Sequence, residues 1–219
     1  MGELTLVSVL IPAFNEELTI ESVVSECKKC SLVAEVIVID DGSEDETFNL
    51  AKKAGARVLN YGENRGKAFA VMHGAKQARE EILLLLDADL IGFTSDHATQ
   101  LILPVLEGIT EVTLGLFEKG RMKTDLAHTV TPWLSGQRCL KKSLLLSMDN
   151  CDQGRFAFEV QLNEWMKKNN IIPVKVPLEY VSHLTKEEKR GRKKGFSTRM
   201  KMYKNIASQF FKKDKYSIY

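Results

Sequence analysis

The chain lacks any apolar run approaching the roughly 20 residues that a membrane-spanning helix needs. Its first strand-like run begins at Val7, which leaves no room for a signal peptide, so a cytoplasmic protein is expected. Cysteine is scarce: the four present, Cys27, Cys30, Cys139 and Cys151, fit a reducing compartment and not a disulfide scaffold. Cys27-Lys-Lys-Cys30 has redox or zinc spacing but no second pair at a metal-binding distance, so no chemistry is assigned to it. No Gly-x-Gly-x-x-Gly follows the first strand, which excludes a dinucleotide-binding dehydrogenase. Nor is there a glycine-rich loop to hold a triphosphate, which argues against a nucleotidyltransferase. Internal repeats and low-complexity segments are also missing. What is left, 44% hydrophobic and 27% charged over 219 residues, suffices for one sizeable globular core.

The net charge of +2 hides an asymmetry. From Lys186 to Lys215 there are twelve Lys or Arg against three Asp or Glu, which leaves the remainder of the chain at −7. An acidic body with a basic tail calls for an anionic partner, either phosphate groups or a membrane surface. Within that tail Met200, Tyr203, Ile206, Ala207, Phe210 and Phe211 recur at three- and four-residue steps, the pattern of an amphipathic helix. Its apolar stripe can pack on the chain's own core, on the second subunit of a homodimer, or peripherally on an anionic membrane.

Strand and helix alternate through the first ninety residues. Strands are read at Val7–Ile11, Glu35–Asp40, Arg57–Asn60 and Ile82–Leu86, with helices at Leu18–Lys29, Asp45–Ala54 and Lys67–Ala78. That alternation calls for an α/β fold with parallel strands and right-handed crossovers. The order then loosens: a helix over Ser95–Leu106, a strand over Glu111–Phe117, a polar loop over Glu118–Thr131, a helix over Phe156–Lys168, and strands around Ile172–Pro177 and Leu178–Val181. Two of the early strands end in paired acids, Asp40-Asp41 and Asp87-Ala88-Asp89. Ligands in open α/β sheets bind outside the carboxyl ends of the strands, so these four carboxylates should converge on one crevice. A divalent ion shared with a diphosphate would offset their repulsion.

Four segments follow the four strands in order: Pro12-Ala-Phe-Asn-Glu16, Asp40-Asp-Gly-Ser43, Asn64-Arg-Gly-Lys67 and Asp87-Ala-Asp-Leu90. Together they resemble family 2 nucleotide-sugar glycosyltransferases of the GT-A fold. The resemblance implies that Pro12, Phe14, Glu16 and Asp41 receive the nucleotide base, a carboxylate suiting the imide N–H of uracil or the amino edge of guanine. Asp41 could instead serve the Asp-Gly-Ser turn as a cap, a task that Asp40 is equally able to take. Lys67, after a glycine at a helix start, is placed on phosphate. The same resemblance gives Asp87 to the ribose and Asp89 to a Mg²⁺ or Mn²⁺ ion bridging the donor's diphosphate, with His183 as a further metal ligand.

Ser135-Gly-Gln-Arg138 is similar to a segment of polyprenyl-phosphate glycosyltransferases of the dolichol-phosphate mannose synthase type, and to the matching region of glucosyl-3-phosphoglycerate synthases. Both groups use phosphate-bearing acceptors. This implies acceptor contacts at Gln137 and Arg138, whose guanidinium can hold a phosphate through two parallel N–H bonds. Arg192 to Arg199 resembles a basic stretch of the polyprenyl-phosphate enzymes, with Thr198 or Arg199 where lysine is usual, and adds Arg192 and Arg199. No Glu-Asp pair stands where inverting relatives keep a general base, so Asp152 and Glu159 are the candidates, Glu159 equally as an acceptor-orienting group. A phosphate nucleophile is already ionised and needs no base.

The expectation is a GT-A domain over residues 1–184, with a nucleotide-sugar half (1–92) and an acceptor half (93–184), then a basic loop and amphipathic helix over 185–219. It would move a sugar from a nucleotide diphosphate sugar, UDP favoured over GDP, to a phosphate-bearing or lipid-linked acceptor of the cell envelope, with no nucleic-acid partner. A soluble glucosyl-3-phosphoglycerate synthase-like enzyme is the alternative. A non-catalytic nucleotide-sugar sensor would keep Asp41 and Asp89 but would not need Arg138.

Overall fold

The computed structural model describes residues 6–118, 135–148 and 158–184. Asp152, Arg192, Arg199 and the amphipathic stretch 200–211 lie outside them, as does most of the segment read as a polar loop. The chain forms two compact units, Met1–Ser182 and His183–Tyr219, and of the second only His183 and Leu184 are described.

The early elements follow the sequence reading closely. They are β1 (Val7–Ala13), α1 (Ile20–Lys29), β2 (Val33–Asp40), α2 (Thr47–Lys53), β3 (Arg57–Asn60), α3 (Lys67–Gln77) and β4 (Ile82–Leu85). A short β5 (Leu90–Ile91), α4 (Ser95–Leu106), β6 (Val112–Glu118), β7 (Arg138–Lys141), α5 (Lys142–Leu146), α6 (Phe158–Lys168), β8 (Val174–Glu179) and β9 (Ser182–His183) complete the series. One seven-stranded sheet runs β3-β2-β1-β4-β7-β6-β8, and β5 pairs with β9 apart from it. Strands β1 to β4 are parallel to one another, and β7 is antiparallel to both of its neighbours.

Aliphatic alternation explains the layering. Val7, Val9 and Ile11 of β1 face one core with α1 and α4, while Leu10 faces the other with α3 and α6. Leu84 and Leu86 join the first core, Leu83 and Leu85 the second, so β4 is apolar on both faces, as a central strand must be.

Three readings need correction. Helix α2 starts at Thr47 and not at Asp45, because Asp45 Oδ1 accepts the Thr47 N–H at 3.0 Å and so acts ahead of the helix, whose first turn holds no acid. Helix α1 starts at Ile20, two residues later than read, and leaves Leu18 66% exposed. The strands expected at 172–177 and 178–181 are one strand, β8, ended by Tyr180 in the left-handed region (φ 61°).

Candidate active site

Parallel pairing brings the acids together. Ala13 pairs with Asp40 across β1 and β2, and Leu10 with Leu85 across β1 and β4, so both acidic strand ends open on the same edge. The Asp41 N–H continues the ladder to Ala13 O at 2.8 Å. Asp40 takes the turn: its Oδ1 accepts the Ser43 N–H at 3.0 Å and its Oδ2 the Asn60 amide at 2.8 Å. That leaves Asp41 for other work.

Asp41 is 5% exposed, and the loop between β3 and α3 wraps it. Oδ1 accepts the Tyr61 hydroxyl at 2.6 Å and the Arg65 N–H at 2.8 Å, and Oδ2 accepts the Gly66 N–H at 2.9 Å. Burial first, and then the hydrogen bond to Asp41, push the Tyr61 hydroxyl's pKa up, so it stays a donor. Gly42 holds the loop close: it has φ +78°, and a Cβ there would meet the Glu63 backbone at 2.9 Å. The first-strand segment is tied in beside it, Asn15 N–H to Ser43 Oγ at 3.0 Å and Glu16 N–H to Thr47 Oγ1 at 2.7 Å. Phe14 is 40% exposed there, and Pro12 is partly buried at the end of β1.

The antiparallel β7 builds the other half. Because Leu85 pairs with Arg138, continuing the register sets Gln137 beside Leu86 and Gly136 beside Asp87. Gln137 donates from Nε2 to Asp87 Oδ2 at 2.8 Å, and Ser135 Oγ bonds Gln137 Oε1 at 2.6 Å. Gly136 lies flat against the carboxylate: a Cβ would sit 2.6 Å from both Asp87 oxygens. Lys67 forms ion pairs with Asp87 and with Glu159 of α6. Burial disfavours its ammonium, but the two carboxylates outweigh that and hold the Lys67 pKa above its ordinary value. Arg138 is 1% exposed and donates to Ser135 O at 3.1 Å and to Asn163 Oδ1 at 2.9 Å. Burial pushes its pKa down to about 10, against the pull of Glu159 and Asp87, so it is charged at neutral pH.

Asp87, Asp89 and His183 each offer one ligand atom, and these atoms lie within 4.8 Å of one another. The turn after β4 supplies the acids, and His183 follows Ser182 in β9, the partner of β5. Two carboxylates and an imidazole suit Mg²⁺ or Mn²⁺. Of the expected site residues within the described segments, Asp41, Lys67, Asp87, Asp89, Gln137, Glu159 and His183 thus fall into two adjoining clusters, with Arg138 beneath. Gly136, Tyr61 and Asn163 are additions that the sequence reading did not name. Gly136 sat inside a segment singled out, whereas Tyr61 and Asn163 carried no signal, since side chains that hold other side chains follow no local spacing.

Gly136→Ala is expected to displace the Asp87 carboxylate and weaken Mn²⁺ binding about 10–100-fold, the usual effect of disturbing a group that supports a metal ligand. Isothermal titration with Mn²⁺, alongside an unchanged circular dichroism spectrum, would read it.

Residues 8–172 match the family described as Glycosyl transferase family 2. A dolichyl-phosphate beta-glucosyltransferase of Drosophila melanogaster is 43% identical over 98 residues, 37% of this chain and 30% of that protein. Glucosyl-3-phosphoglycerate synthase of Mycobacterium tuberculosis (strain CDC 1551 / Oshkosh) is 35% identical over 180 residues, 65% of this chain and 55% of that one. A crystal structure of the M. tuberculosis enzyme with Mn²⁺ and uridine-diphosphate-glucose aligns at a TM-score of 0.68 with 27% identity, covering 82% of this chain and 71% of that one. This chain therefore matches between about a third and just over half of the length of these two curated relatives.

Proposed function

The chain belongs to glycosyl transferase family 2, and on that premise we propose that it is a metal-dependent glycosyltransferase taking a UDP-sugar donor and a phosphate-bearing acceptor. The observation that carries the reading is the Asp87, Asp89 and His183 ligand set at the strand ends. Such an ion, when bound, supplies Lewis-acid neutralisation of the leaving nucleoside diphosphate. The chain's own residues do the rest. Asp87 is oriented for the ribose by Gln137 and Lys67. Lys67 is within reach of arriving phosphates once it releases a carboxylate, and Glu159, released in turn, orients the acceptor. With a polyprenyl-phosphate acceptor, a phosphate oxygen attacks the sugar's anomeric carbon, the bond to the diphosphate breaks, the diphosphate leaves with the electron pair, and no general base is required. A phosphoglycerate acceptor attacks through its hydroxyl and must also give up that proton, for which Glu159 is the candidate among the described residues.

Uracil is favoured by arithmetic at Asp41. A carboxylate has about four acceptor positions, and three are already taken by Tyr61, Arg65 and Gly66. One position suits the single imide N–H of uracil. Guanine presents two donors and would leave one unmatched. UDP-glucose with Mn²⁺ at a hundred times its Kd is expected to raise the melting temperature by about 5–10 °C. EDTA should erase the shift, and GDP-mannose should give little of it. An equal shift from both sugar nucleotides would sink the uracil assignment.

For the acceptor, 3-phosphoglycerate and a polyprenyl phosphate share the group recognised. The length of the match to the phosphoglycerate enzyme supports the former, and the basic tail supports the latter as a peripheral anchor. Arg138 meets an acceptor phosphate directly only by leaving Ser135 and Asn163. Buried beneath Asp87 and Glu159, it is better suited to lend positive potential from below. Turnover with each acceptor, in vesicles and in solution, separates the two. Among the described residues no helix is long and apolar enough to cross a membrane.

A further inference from the structure

A second cluster of charge lies at the opposite, amino-terminal edge of the sheet, about 20 Å away along β2. Lys28 at the end of α1, Arg57 at the start of β3 and Arg79 after α3 line a cleft of about 230 Å³ with Val33 to Val36 of β2 and Gly55. Glu35 lies among the three cations, its side chain 10% exposed. Its Oε1 is committed, accepting Ser8 Oγ and the Arg79 N–H, both at 2.7 Å. Its Oε2 is buried and has no hydrogen-bond partner. Arg57 Nη1 and Arg79 Nε approach that oxygen only to 3.6 and 4.0 Å, outside hydrogen-bond range. Arg57 instead donates to Gln77 O at 3.0 Å, and Lys28 to Gly55 O at 3.2 Å. A buried carboxylate oxygen is seldom left without a donor.

We propose that this cleft is a ligand site for a small phosphorylated polyol. The anion would draw Arg57, Arg79 and Lys28 toward it, and a hydroxyl would donate to Glu35 Oε2 as the two guanidinium groups, now ion-paired with that oxygen, turn to the anion. Three cations against one carboxylate leave the cleft positive, in a body that is otherwise acidic. Guanidinium groups favour phosphate oxygens. The cleft is below the roughly 300 Å³ of the smallest drug-sized pockets, which limits the ligand to metabolite size. None of its residues belongs to the active site, so the proposal stands or falls independently of the transferase reading.

Backbone amide resonances of the ¹⁵N-labelled full chain, with UDP and Mn²⁺ filling the donor site, would test it on titration with glycerol 3-phosphate. Signals of Ala34, Gly55 and Arg79 are expected to shift and saturate. Arg79→Ala, at a side chain 76% exposed, should weaken that binding about tenfold. Inorganic phosphate, lacking the hydroxyl, should bind more weakly, and glycerol alone should leave the signals in place. Shifts confined to Asp87 and Gly136, or a titration unchanged by Arg79→Ala, would overturn the site. Phosphate binding as tightly as glycerol 3-phosphate would overturn the role of Glu35 and with it the polyol.

Discussion

Asp89→Ala is expected to lower turnover about a thousandfold or more and to make donor binding indifferent to Mn²⁺ and to EDTA. Removing one of two carboxylates from the ligand set leaves Asp87 and His183, too few anchors for a hard divalent ion. The lost stabilisation of the leaving diphosphate is several kcal/mol, and each 1.36 kcal/mol is about tenfold in rate. His183→Ala should act in the same direction but less severely, because both anionic ligands survive. Donor affinity titrated with and without metal, beside steady-state rates, reads both variants. Metal-dependent turnover at the unmutated rate in Asp89→Ala would remove the metal from this site.

Lys67→Met should follow closely, with a loss of about a hundredfold or more in kcat/KM. The ammonium serves two masters, Asp87 of the metal-ligand set and Glu159 on α6. Without it, two carboxylates that now share one cation face each other across the site. The side chain is 34% exposed, so water screens part of the repulsion and the stability lost should be modest, about 1–2 kcal/mol. The pH dependence has a definite sign. The Lys67 pKa is raised in the fold, so its contribution is complete below the ordinary lysine value of about 10.4 and is lost only as pH rises through the higher folded value. From pH 6 to 9 the difference in melting temperature between native chain and variant should therefore stay flat as far as Lys67 sets it. Lys67→Arg should recover stability before activity, since a fork-shaped cation cannot repeat a two-way point contact.

The strand ends were legible because they obey short-range rules. An apolar run followed by Asp-Asp or Asp-x-Asp reads as a buried strand emptying into a crevice, and Asp40, Asp41, Asp87 and Asp89 stand there. His183 came only from resemblance, since a lone histidine after a strand has no periodicity of its own. The strand β7 was missed because four residues, Arg138–Lys141, follow a segment whose interest lay in its side chains. Its antiparallel direction is invisible locally, being set by β4 and β6 on either side. The internal commitments of Arg138 and Gln137 followed from that omission: without the register to Leu85, nothing brings position 136 against Asp87. Apart from the cap of the Asp-Gly-Ser turn, the polar side chains singled out in the sequence were turned toward ligands, whereas Tyr61, Asn60 and Asn163 spend theirs on neighbouring side chains.

The position of β7 bears on how the molecule comes together during synthesis. Strands β1 to β4 all lie within the first 85 residues, so that half can assemble as the chain emerges. Strand β4 then waits for a partner that lies some fifty residues further on, presenting four apolar residues along an unpaired edge. Until Arg138–Lys141 insert between β4 and β6, neither Gly136 nor Gln137 has reached Asp87, so the nascent enzyme has its nucleotide half before it has a working centre. That interval leaves the newborn chain open to self-association along β4, and gives a chaperone an edge to shield.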